Sequence, residues 1–326
     1  GDWPYFNLEW PGRGVIVAVG WPGQWAAQLK RDEGTKIQLR AGQEKTRFRL
    51  KPGEEARSPL IALLFWHGDW IAGQNIWRRW MVAHNVPRPG GKLHPPQIAS
   101  GSGRHTVEMQ TANEANQIQY FTRELDRGIP LDYYWMDAGW YPFTQGWWNV
   151  GTWELDPARF PRGFVPVTSA AHARGIKIIV WFEPERVTEG SWLDKNRPQW
   201  LLVRGRSNRL LNLGNPEARE WLTEHVSKML KEQGIDLYRQ DFNMEPLEYW
   251  RAADAPDQQG LTENKHIMGY LAYWDELRRR FPNLPIDTCA SGGRRNDLET
   301  LRRAVPLWRS DYAYDPMGMQ MLTYGM

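Results

Sequence analysis

Four acids occupy positions from which a folded chain could use them chemically: Asp137 in "LDYYWMDAGW", Glu183 in "GIKIIVWFEPE", Asp241 in "GIDLYRQDFN" and Asp311 in "VPLWRSDY". Each closes a short apolar run and is therefore expected where a strand ends and a loop begins. A single strand-end acid has plain uses, capping the next helix or pairing with an arginine. Four converging on one mouth repel each other, and that cost is normally tolerated only for function. Trp140, Trp153 and Trp181 lie near the same ends, in a chain with 20 tryptophans. Most tryptophans in any protein are core, but indole faces also suit the C–H faces of a sugar ring. Acids beside aromatic plates point to glycoside hydrolysis: one carboxylate attacks or steadies the anomeric carbon, and another handles the leaving-group proton.

Other chemistries fit less well. The 7 histidines show no HExxH or other ligand spacing, so no metal site and no cofactor is expected, and His105 and His266 read as surface or capping groups. "SGSGR" (100 to 104) and "SGGRR" (291 to 295) are glycine-rich but lack the Lys-Ser/Thr ending of a phosphate loop. Cys289 has no adjacent base, which favours a packed or ligand-lining thiol over a nucleophile. As the single cysteine it excludes an internal disulfide framework. A net charge of +3 with interspersed acids argues against nucleic acid, and basic clusters such as "ELRRRF" read as solvated helix faces. No run of about 18 apolar residues suggests a membrane span, and no leader peptide is visible. Compartment stays open.

The elements that must position these acids follow one rhythm from about residue 95. Six short apolar runs, "QIASGS", "LDYYWMDAGW", "GIKIIVWFEPE", "GIDLYRQDFN", "LPIDTCASGG" and "VPLWRSDY", alternate with helical stretches such as "EANQIQYFTRELDRG" and "EAREWLTEHVSKMLKEQG". Alternating strands and helices give parallel βαβ units. Gly175 and Gly234 each end a helix just ahead of a strand. With no glycine-rich phosphate turn after the first strand, a (β/α)8 barrel fits better than a doubly wound sheet, and in such a barrel the strand ends share one mouth. Two strands are missing, so the chain reads as truncated after strand six, and truncated at its start as well. Residues 1–68 read as the end of a β-sandwich, 69–92 as a linker helix and connector stopped by Pro87, and 93–326 as the incomplete barrel.

The motifs resemble glycoside hydrolase family 36, the α-galactosidase-like enzymes of clan D. "YYWMDAGWY" is similar to that family's strand ending in Asp-Asp-Gly-Trp, and "GTWELDPARFPRGFVPVTSAAHARGIKIIVWFEPERV" to its tryptophan loop, helix and Trp-Phe-Glu-Pro-Glu strand. "YRQDFN" resembles the Lys-Trp-Asp-Met-Asn nucleophile strand, and "CASGGRRNDLETLRRAVPLWRSDY" the Cys-Ala-Ser-Gly-Gly segment with the Ser-Asp that bears the acid/base. The resemblance implies Asp241 as nucleophile and Asp311 as general acid/base, a choice over Glu183 or Asp137 that spacing alone leaves open. It implies a retaining mechanism, with the two carboxyls about 5 to 5.5 Å apart. Asp137, Trp140, Trp153 and Arg239 would contact the sugar, and Cys289, Ser291, Gly292 and Gly293 would line the loop beside C2. Arg239 could also favour the charged form of Asp241.

Departures from the pattern lie at Ala138 for the second aspartate, Arg239 for the lysine, Gln240 for the tryptophan and Arg294 for the third glycine; "PPQIASGS" lacks an Asn-Asn-Trp. These changes are expected around the glycone pocket. The implied partner is an α-galactoside oligosaccharide or glycoconjugate, with neither nucleic acid nor membrane involved. N-acetylgalactosamine or galactosamine stands behind galactose. The rival class is a non-catalytic carbohydrate-binding barrel, and a further alternative is an inactive fragment of an active enzyme. Any homo-oligomer would use regions absent from this chain.

Overall fold

The computed structural model describes residues 3–205, 208–308, 311 and 317. The chain divides into two compact units, neither of them contiguous in sequence: residues 1–87, 245–272 and 288–326 form the first, and 88–244 with 273–287 the second.

The first unit opens with β1 (Tyr5–Trp10), β2 (Arg13–Gly20), β3 (Trp25–Arg31), β4 (Ile37–Gln43) and β5 (Leu60–His67), followed by α1 (Trp70–Trp80). β2 runs between β1 and β5 in an antiparallel sheet, while β3 and β4 pair as a hairpin. Asp69 caps α1 by accepting the amide of Ala72 at 2.7 Å. The centre of this unit is Trp66, whose ring fills the space left by two glycines. A Cβ on Gly14 would stand 2.2 Å from it, and one on Gly73 2.7 Å.

The second unit holds a five-stranded sheet in the order β13-β12-β8-β7-β6, built from β6 (Ala99–Gly101), β7 (Tyr133–Met136), β8 (Lys177–Phe182), β12 (Leu237–Gln240) and β13 (Ile286–Thr288). The registered pairs from β6 through β12 are parallel. Helices alternate with the strands: α2 (Glu114–Asp126), α3 (Val165–Ala173), α4 (Trp192–Asn196) and α5 (Pro216–Glu232) lie in this unit, α6 (Leu247–Ala253) belongs to the first, and α7 (Leu261–Arg280) starts in the first and ends in the second. Five strands in βαβ order form part of a (β/α)8 barrel, as the alternation predicts. The boundaries have local causes. Asn113 and Asn116 form a reciprocal capping box at the start of α2. Asn215 caps α5 with Pro216 in its first turn, and Gly175 and Gly234 take φ of 78° and 66° where helices hand over to strands.

Alternation sorts the strand side chains onto two faces. Tyr133, Ile179 and Leu237 cluster on one, with Trp135 packed against them. On the other, Tyr134 meets Phe121 of α2 and Tyr238 meets Tyr273 of α7. Gln240 belongs to that helix-facing side: its Oε1 accepts from Trp274 Nε1 at 2.6 Å and from the Tyr238 hydroxyl at 2.9 Å. The expectation that the Gln240 departure borders the sugar pocket is therefore corrected. One residue of strand parity turns it away from the acids.

Two further differences stand out. A small antiparallel sheet of β9 (Arg186–Thr188), β10 (Leu201–Val203) and β11 (Asn208–Leu211), in the order β10-β11-β9, follows β8 and was not expected. The sixth strand expected in "VPLWRSDY" contributes one bridge residue, Val305, whose carbonyl accepts the Thr288 amide at 3.0 Å. Residues 309, 310 and 312 of that stretch lie outside the described residues.

Candidate active site

Asp137, Glu183, Asp241 and Cys289 each directly follow the last residue of their strands, β7, β8, β12 and β13. Within the second unit the register aligns Arg239 with Trp181 and Gln240 with Phe182, so Asp241 falls level with Glu183. A parallel sheet thereby brings three carboxylates to one end.

Their surroundings set them apart. Asp241 is 8% exposed and accepts three N–H bonds: Oδ1 from the Phe242 amide at 2.7 Å, and Oδ2 from Asn243 Nδ2 at 2.8 Å and Trp181 Nε1 at 3.1 Å. These three donors suit an acceptor-only carboxylate and fix its plane. Glu183 is consumed differently. It is fully buried, Arg186 grips it through Nε at 2.8 Å and Nη2 at 2.5 Å, and the Asn243 amide donates to the same oxygen as Nε. Burial pushes its carboxyl up, and the Arg186 guanidinium pulls against that. Both oxygens being engaged, Glu183 braces the Asn243 segment.

Asp137 accepts the Ala138 amide at 2.8 Å. Burial lifts its carboxyl to about 7, against Arg239 and that amide, with the charges of Glu108 and Asp241 adding to the rise. Glu108 is close: a Cβ on Gly103 would lie 3.6 Å from its Oε2 and 3.9 Å from Asp137 Oδ2. Arg239 pairs with Asp287 of β13 and lies with its guanidinium 4.5 Å from the centre of the Trp135 ring. It is buried to 3% exposure, a planar cation held at both ends.

Two expected sugar platforms are core residues instead. Trp140 has no exposed surface; Tyr141, Trp153, Phe164 and Phe182 surround its ring, and its Nε1 donates to the Trp181 carbonyl at 2.8 Å. Trp153, 1% exposed, packs on Trp140, Tyr141, Trp181 and Phe182. Both brace Trp181, whose indole nitrogen reaches Asp241. Trp153 also has φ 52°, and its buried Nε1 has no hydrogen-bond partner among the described residues. Left-handed non-glycine residues occur at Val107 to Met109, at Trp153, and at Ala290 and Ser291, all in loops that follow strands of the sheet. Such strain persists only where the surroundings enforce it.

In the first unit, Ala290, Ser291, Gly292 and Gly293 carry φ of 72°, 53°, 80° and 99° in succession after the buried Cys289. Gly292 makes room for Asp311, whose Oδ2 would lie 2.8 Å from any Cβ there, and Asn296 Nδ2 holds the Gly293 carbonyl at 2.8 Å. Asp311 Oδ1 accepts Trp308 Nε1 at 3.1 Å. Arg294 turns to an exposed pair with Glu245. Asn243, Asp287 and Glu108 have no role assigned from the sequence, and Trp181, expected as an aromatic plate, instead donates its indole N–H to Asp241. Parity was the available signal for Trp181 and Asp287, each two residues before a strand-end group. Among the described residues no group of three His, Cys, Asp or Glu is placed to hold a metal ion.

The melibiase family profile matches residues 111–325, a span that includes Asp137, Glu183, Asp241, Cys289 and Asp311. The chain belongs to the melibiase family. It is 26% identical over 330 residues to α-galactosidase 2 of Pediococcus pentosaceus, covering 98% of this chain and 44% of that protein. α-Galactosidase C of Emericella nidulans is 26% identical over 340 residues, with 94% and 43% covered. Among solved structures, the α-galactosidase of Lactobacillus brevis superposes with a TM-score of 0.87 at 22% identity, over 99% of this chain and 45% of that one. A family 36 α-galactosidase from Geobacillus stearothermophilus, in complex with stachyose, gives 0.83 at 20% identity, over 96% and 45%. The melibiase chain described here thus spans less than half the length of these relatives.

Proposed function

We propose that this melibiase-family protein is a retaining α-galactosidase, hydrolysing terminal α-linked galactose through a covalent glycosyl-enzyme on Asp241. One observation carries the reading: Asp241 stands at the end of its strand with three N–H donors on its two oxygens, oriented and nearly buried. The relatives it resembles are α-galactosidases, one of them solved in complex with stachyose.

In this reading an Asp241 oxygen attacks the anomeric carbon as the glycosidic C–O bond breaks, and Asp311 gives its proton to the departing oxygen. Asp311 then takes a proton from water, whose oxygen displaces the Asp241 ester and releases the sugar with its configuration retained. Asp137 accepts hydrogen bonds from sugar hydroxyls, Arg239 borders the same sugar from its fixed place on Trp135, and the Cys289 to Gly293 loop shapes the C2 side. Trp181 and Asn243 position the nucleophile.

The test uses the full-length protein and aryl α-galactosides. Asp241→Ala should lose at least about 10⁴-fold in kcat, and added azide should restore turnover with β-galactosyl azide as product. Sugar binding without turnover by the unmutated protein on any α-glycoside would return the non-catalytic module. A screen varying only the C2 and C4 groups then reads the Ala138 and Arg239 departures, with N-acetylgalactosamine and galactosamine as the competing glycones.

A further inference from the structure

A cleft of about 570 Å³ opens in the second unit between the 144–149 loop and the small sheet of β9 and β11. Its lining includes Asn243, the residue whose side chain holds Asp241, and Arg186, the residue that grips Glu183. An aromatic chain runs the same way. Trp181, bonded to Asp241, meets Trp147 edge to face at 6.0 Å, and Trp147 meets Trp148 at 6.2 Å. Trp148, at the end of that chain, is 50% exposed.

This tryptophan is a built platform. Its carbonyl accepts Arg186 Nη1 at 2.5 Å and the Thr188 hydroxyl at 3.1 Å, and the next residue but one, Val150, accepts the Thr188 amide at 2.9 Å and donates its own amide to the Thr188 hydroxyl at 3.1 Å. Beneath the ring, Gly146 adopts φ 110°, and a Cβ there would lie 2.8 Å from the indole. A half-exposed aromatic face fixed by two backbone anchors and a glycine floor is organised before anything binds. Around it stand short polar groups, Thr144, Gln145, Asn149 and Asn208. The charged residues of the wall are matched by the protein itself: Arg186 by Glu183, and Glu189 by Arg209 at 3.4 Å. An aromatic plate with amide and hydroxyl neighbours and neutralised charges fits a neutral polyhydroxylated ring.

We propose that this cleft binds the leaving-group sugar of an oligosaccharide, with Trp148 stacking on that ring and so setting a preference for extended α-galactosides. The inference rests on the hydrolytic reading above, and the cleft's shared wall with Asp241 makes the leaving group its occupant. The full-length protein with Trp148→Ala is compared with wild type on raffinose and on α-galactosyl fluoride, whose leaving group is a single atom. The kcat/KM for raffinose should fall about ten- to thirtyfold more than that for the fluoride, the loss lying in KM, and Trp148→Phe should recover most of it. Equal losses on both substrates, or none on raffinose, overturn the proposal. So does a change in oligomeric state on size exclusion with unchanged sugar kinetics, because the cleft would then hold a protein chain. Calorimetry with raffinose separates the two readings. If wild type cleaves neither substrate, the hydrolytic reading fails; raffinose heat lost in Trp148→Ala then still supports the subsite, and heat retained in that variant, or absent from wild type, overturns it.

Discussion

Asp137 is the residue whose charge state the site leaves adjustable. With burial holding its carboxyl at about 7 rather than 3.8, the folded protein takes up a proton there between those values. The stability that proton brings is complete below 3.8 and disappears as pH rises through about 7. On the proposed function, sugar binding by its ionised form would have the opposite sense, strengthening as pH rises through the same point. Glu108 contributes to the upward shift, so Glu108→Gln should move the midpoint down by a few tenths to about one pH unit. The pH profile of KM reads that displacement, and an unmoved midpoint would show that the two carboxyls do not sense each other. Glu183 is pushed up by burial as well, but Arg186 grips both of its oxygens and pulls against that rise.

At the scale of elements, strand ends were legible because apolar runs stop abruptly at acids, and the helix-ending glycines because the handover at Gly175 and Gly234 needs left-handed φ. The tryptophans were not. Residue type cannot say whether an indole is a plate or a brick, and only packing against Phe164 and Phe182 places Trp140 inside. The β9, β10 and β11 sheet escaped because strands of three and four residues show no alternation of their own, and unlike the equally short β6 and β13 these have no place in the strand–helix rhythm. Gln240 was legible and misread, since it differs in parity from Asp241 by one. A sharper element-level consequence concerns α1, which approaches β5 through Gly73 against Trp66. Gly73→Val should cost about 3 kcal/mol through overpacking at that contact, with Gly73→Ala intermediate. Urea midpoints measure both; an unshifted midpoint for valine would mean the helix simply steps aside.

For the whole molecule, the notable property is that neither unit is a continuous stretch: the backbone leaves one for the other after residues 87, 244, 272 and 287. Neither can be cut out as a segment, so unfolding of the 326-residue chain is expected as one calorimetric transition with matching van't Hoff and calorimetric enthalpies. Two resolved transitions would show that the units melt independently despite their interleaving. Among the described residues no helix is long and apolar enough to cross a membrane. The lone cysteine, Cys289, is 3% exposed and sits directly after β13. A maleimide dye should therefore ignore the folded molecule, and a second cysteine placed at Gln145 would be the one site it marks, giving a fluorescent reporter on the rim of the cleft without first stripping the chain of its own thiol.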